Sequence, residues 1–279
     1  MRSILSVFLL GLLCAQEPAA QEWDARITDV RGEVTVLPAD GDAQGVEAEK
    51  DMPLASGDRI ATGTDAGAEI SLEGDHVIYL RANSDFTLQS ARHSDSIFNL
   101  TLGSLLAKLQ KLGEGRQLKV RTPTAVAAVR GTEFGVEISP ENPDETYVGV
   151  FDEGKVAVSD ESGHEEILGS NQEIQVLRGQ RAAMPYQLKR FVRHRRFVRS
   201  LDRRMLALRK TWKPLPAAQR LERRLEILQR LRQRRQELRQ KMREKRNRPD
   251  KRRPADLRPD QKKMEKFREE IRKRRRQGQ

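Results

Sequence analysis

The chain has 279 residues, 37% of them apolar and 34% charged, with a formal net charge of +12. It is poorer in apolar and richer in charged residues than an average globular chain, so part of it must be solvated, while its length still supports one core with an appendage or two small domains. The sum hides an asymmetry: residues 24–180 hold 28 Asp and Glu against 14 Lys and Arg, a net of −14, whereas residues 181–279 hold 38 Lys and Arg against 11 Asp and Glu, a net of +27, and halves of opposite sign imply two physical roles.

The amino terminus reads as an export signal spanning residues 1–20. Met1-Arg2 gives a positive start, and residues 4–14 form an apolar run of 11, too short for the roughly 20 residues that a bilayer requires. Ala15, Ala19 and Ala20 are the small residues a signal peptidase needs, with cleavage after Ala15 or Ala20. Cys14 follows the apolar run, as in a lipoprotein, but Leu13 stands where a small residue belongs. It is the one cysteine of the chain, so ordinary cleavage leaves no thiol for disulfides, catalysis or metal binding. The mature protein is expected to be periplasmic or secreted, either soluble or peripherally attached to a membrane.

From Ile27 to Arg178 one theme recurs: four to eight residues of alternating apolar and polar character, closed by Gly, Asp, Asn or Ser. Glu33-Val34-Thr35-Val36-Leu37, Ala68-Glu69-Ile70-Ser71-Leu72, His76-Val77-Ile78-Tyr79-Leu80 and Phe98-Asn99-Leu100-Thr101-Leu102 are examples. Turn-formers such as Ser56-Gly57-Asp58, Glu73-Gly74-Asp75 and Asp152-Glu153-Gly154 separate them. Short, evenly spaced strands without intervening amphipathic helices predict an all-β domain built as a sandwich, barrel or solenoid. Leu105, Leu106, Leu109 and Leu112 have helix-like spacing, and the segment 104–112 reads either as a short helix or as a strand.

After Pro185 the chemistry becomes that of helices, rich in Arg, Lys, Gln, Glu and Leu. Over residues 186–246 two basic amphipathic segments are expected. One has a stripe of Phe191, Val198, Leu201, Met205, Leu208 and Trp212; the other has Leu221, Leu225, Leu228, Leu231, Leu238 and Met242, with Pro214 and Pro216 breaking the run between them. Neither stripe is wide enough to hold a lone helix in water, so a helical hairpin that brings the stripes together is expected. Residues 247–279 form a Pro-, Arg- and Lys-rich tail, partly disordered, with an extended spacer through Pro249, Pro254 and Pro259 and a weaker helix over 261–276.

The β region resembles the FecR-like domain of bacterial envelope proteins over residues 27–178. The resemblance rests on Arg31-Gly32-Glu33-Val34-Thr35-Val36, on Leu54-Ala55-Ser56-Gly57-Asp58-Arg59-Ile60-Ala61-Thr62-Gly63, and on Val148-Gly149-Val150-Phe151-Asp152-Glu153-Gly154-Lys155-Val156. Its most specific stretch is Val120-Arg121-Thr122-Pro123-Thr124-Ala125-Val126-Ala127-Ala128-Val129-Arg130-Gly131-Thr132-Glu133-Phe134-Gly135-Val136. It implies a twisted β-solenoid or sandwich-like stack that acts as a protein-interaction module of the envelope. Thr122, Pro123, Arg130, Gly131, Thr132 and Phe134 read physically as scaffold, a stiff strand entry and a sharp turn. Only Met1 to Ser3 precede the apolar run, so control of a cytoplasmic sigma factor, known for iron-transport members, is not expected to carry over simply.

Enzyme signatures are thin. His76, His93, His164 and His194 lack metal-ligand spacing, Gly113-Glu114-Gly115 completes neither a dinucleotide nor a phosphate loop, and no Gly-x-Ser-x-Gly elbow occurs. Acidic pairs such as Asp40 with Asp42 lack a calcium-loop pattern. No cofactor is expected and the chain reads as a binding protein. The cationic clusters, with Arg193, Arg195, Arg196, Arg234, Arg235, Arg274, Arg275 and Arg276, predict attraction to an anionic partner. Export and scarce aromatics disfavour nucleic acid, leaving anionic lipid, lipopolysaccharide, an acidic envelope protein or self-association. The acidic front half is itself such a partner: the tail is expected to dock on it at low salt and to leave as salt screens exposed pairs.

Overall fold

The computed structural model describes residues 21–41, 44–113, 116–247 and 261–276. The export signal, Cys14, Asp42 and the 249–259 spacer lie outside them. The chain divides into two units at Arg232. The first unit contains seventeen strands: β1 (Ala25–Arg31), β2 (Val34–Leu37), β3 (Val46–Glu47), β4 (Arg59–Thr62), β5 (Gly67–Leu72), β6 (His76–Leu80), β7 (Asp85–Ala91), β8 (Ser96–Leu102), β9 (Ser104–Leu109), β10 (Leu118–Arg121), β11 (Ala125–Val129), β12 (Glu133–Ile138), β13 (Glu145–Val150), β14 (Val156–Asp160), β15 (Glu165–Leu168), β16 (Gln172–Leu177) and β17 (Tyr186–Gln187). A 3-10 turn, Arg190–His194, then leads into α1 (Arg195–Thr211), and α2 (Ala217–Asn247) crosses from the first unit into the second, where α3 (Gln261–Arg276) follows.

The strands form two sheets, an eight-stranded one ordered β1-β5-β6-β9-β12-β13-β16-β17 and a nine-stranded one ordered β15-β14-β11-β10-β8-β7-β4-β2-β3. Both are laid down almost wholly in chain order. Hairpins β5-β6 and β12-β13 belong to the eight-stranded sheet and β7-β8 and β10-β11 to the nine-stranded one, so each pair of strands needs only a nearby turn to find its place. All but one of the pairings between named strands are antiparallel, the exception being β10 with β8, which makes the architecture a sandwich-like stack. Alternation supplies its core: Val34 and Val36, Phe86 and Leu88, Phe98 and Leu100, and Val156 and Val158 point inward from the nine-stranded sheet.

The segment 104–109 is strand β9 and not a helix. Leu105, Ala107 and Leu109 lie in the main core, while Leu106 belongs to a second cluster with Phe191 and Val198. A strand buried on both faces shows a continuous apolar run in place of alternation, which is why its spacing mimicked a helix.

The expected hairpin of two helices facing each other does not form. The stripe of α1 packs on the eight-stranded sheet: Leu201, Met205 and Leu208 cluster with Val77, and Val198 with Leu106 and Phe151. Within the first unit, α2 inserts Ile227, Leu228 and Leu231 into the main core. Leu221 and Leu225, assigned to its stripe, are exposed, as are Leu238 and Met242 in the second unit. The sheets offer far more apolar area than a neighbouring helix would, and burial scales with that area.

Candidate interaction surfaces

The outer face of the eight-stranded sheet is acidic and covered. Register places Glu69, Tyr79, Leu106, Gly135, Gly149 and Glu173 in one cross-strand row. Its middle is two glycines wide, and the ring of Phe191 lies there, fully buried. A Cβ on Gly135 would stand 2.6 Å from Phe191 Cε1 and one on Gly149 2.5 Å from Cδ2. Any other residue at either position would displace the ring. Phe151 packs edge-on against it at 6.2 Å between ring centroids.

Around this plug the basic segment satisfies the acidic sheet residue by residue. The backbone N–H of Arg190 donates to Glu173 Oε2 at 2.9 Å. The guanidinium groups of Arg190 and Arg193 reach Glu137 at 2.8 and 3.0 Å, and Arg204 reaches Glu69 at 2.7 Å. Lys108, on the sheet, bonds both Glu133 beside it and Asp202 on α1. Burial alone would lower the Lys108 pKa, but the bonds to Asp202 and Glu133 hold it above its ordinary value. Arg199 pairs with Asp152 at 2.6 Å. His194, beneath the turn, is pushed down to about 4 by burial and by the neighbouring Arg81 and Arg193, so it stays neutral where it packs.

A second anchor lies at the amino-terminal end of the stack. Asp58 has no exposed side-chain surface and accepts both guanidinium nitrogens of Arg224, at 2.6 and 2.7 Å. It also accepts the N–H groups of Ala39 at 3.1 Å and Ala55 at 2.8 Å. Burial raises the Asp58 pKa, opposed chiefly by the Arg224 charge. Arg230 with Glu49 and Arg232 with Asp40 extend the contact along α2. Charge patterning signalled attraction between the halves; it gave no sign that a single arginine of α2 enters the Ser56-Gly57-Asp58 turn.

Five of the six motif residues sit between strands, and Phe134 lies in β12. Thr122 Oγ1 donates to Ala125 O at 3.2 Å and accepts the Ala125 N–H at 3.0 Å, and half-buried Pro123 follows it. Arg130 is exposed, with its carbonyl accepting the Leu112 N–H at 2.9 Å. Gly131 has φ of 123°, and a Cβ there would meet Lys111 Cα at 2.5 Å. Thr132 Oγ1 donates to the Glu153 carbonyl, and Phe134 is fully buried. Thr122 and Pro123 form the β10-β11 turn within the nine-stranded sheet, and Arg130, Gly131 and Thr132 connect β11 to β12 of the other sheet.

Of the cationic cluster, Arg193 and Arg195 face the stack: Arg193 pairs with Glu137, and Arg195 contacts Asn171 and lies 3.6 Å from Asp152. Both compensate the protein's own carboxylates, and the Arg193 side chain keeps 57% of its surface exposed. Arg196 and, in the second unit, Arg234 are exposed, and Arg235 is half-buried. The side chains of Arg274, Arg275 and Arg276 lie outside the described residues. No group of three or more His, Cys, Asp and Glu suited to a metal ion occurs among the described residues. No described helix is long and apolar enough to cross a membrane.

The outer face of the nine-stranded sheet carries no helix among the described residues of the first unit. Thr87, Asn99, Arg121, Val126, Ser159 and Glu165 form one cross-strand row, and Ile97, Lys119, Ala128, Ala157 and Ile167 a second. All are half-buried or exposed, with Ile167 61% accessible. Three of these eleven residues, Arg121, Lys119 and Glu165, are charged, and the others are uncharged.

A search among curated proteins found no match. Among solved structures, two crystal structures of a protein described as an anti-sigma factor from Parabacteroides distasonis, at 1.65 and 2.50 Å resolution, are similar at 21% identity with a TM-score of 0.41. The match covers 48% of this chain and 61% of that one. Residues 58–157 match the family model described as FecR protein. That stretch runs from the Asp58 anchor through the Thr122-Pro123 and Arg130-Gly131-Thr132 motifs to the strand after Gly154, and over it the chain is similar to the FecR family.

Proposed function

We propose that the protein is an exported envelope module that acts by binding a protein partner on the bare nine-stranded face, and that it serves signalling or regulation as FecR-type proteins do. The observation that carries this reading is the contrast between the two sheets. One outer face is occupied by the chain's own residues 188–211, whereas on the other Val126, Ala128, Ala157 and Ile167 are presented together, flanked by Lys119, Arg121 and Glu165. An interface core is depleted in charge in the same way. The similarity to the FecR family and the amino-terminal apolar run support a role outside the cytoplasm. The cationic residues of the second unit would then add attraction to an anionic membrane surface or lipopolysaccharide.

The test is capture of partners from an envelope extract by the full chain and by a variant with Val126→Arg and Ala157→Arg. Loss of specific partners in the variant, with an unchanged melting temperature, is expected. Retention of every partner would exclude this face. Fractionation should recover processed protein outside the cytoplasm, and unprocessed cytosolic protein would refute export.

A second reading, as a structural spacer that assembles through its helices, is favoured by the exposure of Leu238 and Met242 on α2 and of Met264, Phe267 and Ile271 on α3. Light scattering of the full chain against Leu238→Glu with Met242→Glu separates the two. Dissociation of an oligomer by those changes supports the spacer, and a monomer in both cases supports the partner-binding module.

A further inference from the structure

We propose that the cleft where the loop at Asp51, the end of α1 and the start of α2 meet β1 binds a phosphate group. The cleft is about 500 Å³ in volume and is lined by five cations, Arg26, Lys50, Arg204, Lys213 and Arg223, against the single carboxylate of Asp51. Two of the five are compensated, Arg26 by Asp24 and Arg204 by Glu69. The charged ends of Lys50, Lys213 and Arg223 have no hydrogen bond or ion pair among the described residues, and all three residues are exposed. Three uncompensated positive charges converging on a concave site raise the local potential and draw in an anion.

Trp212 forms part of the wall. Arg26 lies over its indole at 4.4 Å from the ring centroid. The indole Nε1 is buried with no acceptor among the described residues, and a buried donor left without a partner is rare in folded proteins. The doubly charged phosphate of a monoester matches three free cations better than a carboxylate does, and guanidinium groups hold phosphate oxygens in pairs. The volume lies within the usual range for small-molecule sites and leaves room for the rest of a phosphorylated molecule. The cleft is assembled only when α1 and α2 are docked, so an occupant would also bind the helices to the β stack.

The full mature chain would be titrated calorimetrically with inorganic phosphate and with glycerol 3-phosphate. The same titrations would be run on a variant with Lys50→Ala, Lys213→Ala and Arg223→Ala, and on a control with Arg239→Ala, Arg243→Ala and Arg246→Ala, which removes equal charge from α2 beyond the cleft. We expect saturable one-to-one binding, weakened at least about 100-fold in the cleft variant and less than about threefold in the control. Equal weakening in both variants, or no saturable binding to the unmodified chain, would overturn the site. Phosphatidylcholine vesicles with and without phosphatidic acid identify the source. Displacement of bound phosphate by the phosphatidic acid vesicles alone assigns a lipid headgroup, and undisturbed phosphate binding assigns a soluble phosphomonoester.

Discussion

The two sheets of the β stack grow from the same zigzag of hairpins and share one core, yet their outer faces have opposite fates. On the eight-stranded sheet, Glu69, Glu133, Glu137 and Glu173 are each less than 9% exposed beneath a cationic segment of the same chain. On the nine-stranded sheet the corresponding outward positions are mostly Thr, Asn, Val, Ala, Ser and Ile, with Arg121, Lys119 and Glu165 among them, and no described helix lies over them. Acidic residues there would simply be hydrated; here they are buried and must be paired, because an unpaired buried charge is costly. The net −14 of the front half is thus in part a docking surface for the chain that follows it.

The comparison is broken most severely at the Asp58 anchor. Arg224→Ala leaves a buried carboxylate without its partner, and urea unfolding should report a loss of about 3–5 kcal/mol. Asp58→Asn combined with Arg224→Met, which removes both charges, should lose clearly less. Next in size is the plug: Phe191→Ala empties the space over Gly135 and Gly149 and should cost about 3–5 kcal/mol. Ile167→Ala on the bare face should change stability by no more than about 0.5 kcal/mol. Equal costs at the two positions would mean that the covering segment is not part of the folded unit.

Acid should loosen the covered face in a defined window. His76 is held down to about 4 mainly by burial, and His194 to about 4 by burial and two arginines. Both are neutral in the fold, whereas in the unfolded chain they bind protons near pH 6.5. Their contribution is therefore complete above about 6.5 and is lost as pH falls from there toward about 4. Melting temperature measured across this range should decline, and His194→Asn should make the decline shallower. Asp160, lowered to about 2 by bonds from Ser162, Ala182 and His164, contributes fully above the ordinary aspartate range, and that contribution disappears only as pH falls through about 2.

Much of this architecture is legible in the sequence because its unit is local. Alternation with Gly and Asp turns marks each hairpin, and chain-order stacking means that local marks suffice. The breakdown comes wherever a residue is buried on both sides or by a distant partner. Leu106 hides a strand because α1 covers it. Arg224 looks like solvated helix surface until Asp58 is seen at its end, and of the expected α2 stripe only Leu228 and Leu231 are buried. Gly135 and Gly149 read as ordinary strand residues; only register across two strands reveals a socket for Phe191. The cleft at Trp212 joins residues separated by about half the chain or more, and no spacing in the sequence announces it.

Coulombic attraction alone would let salt release the basic segment, whereas the buried contacts of Phe191, Val198, Leu201, Met205 and Leu208 are insensitive to screening. Hydrogen exchange of the full chain at low and high salt separates the two most directly. We predict that the amides of α1 and of the α2 turns through Leu231 keep the protection of β9 and β12 at high salt, while the exposed residues 233–246 exchange far faster under both conditions. Loss of protection across α1 at high salt, with β9 and β12 still protected, would contradict the account.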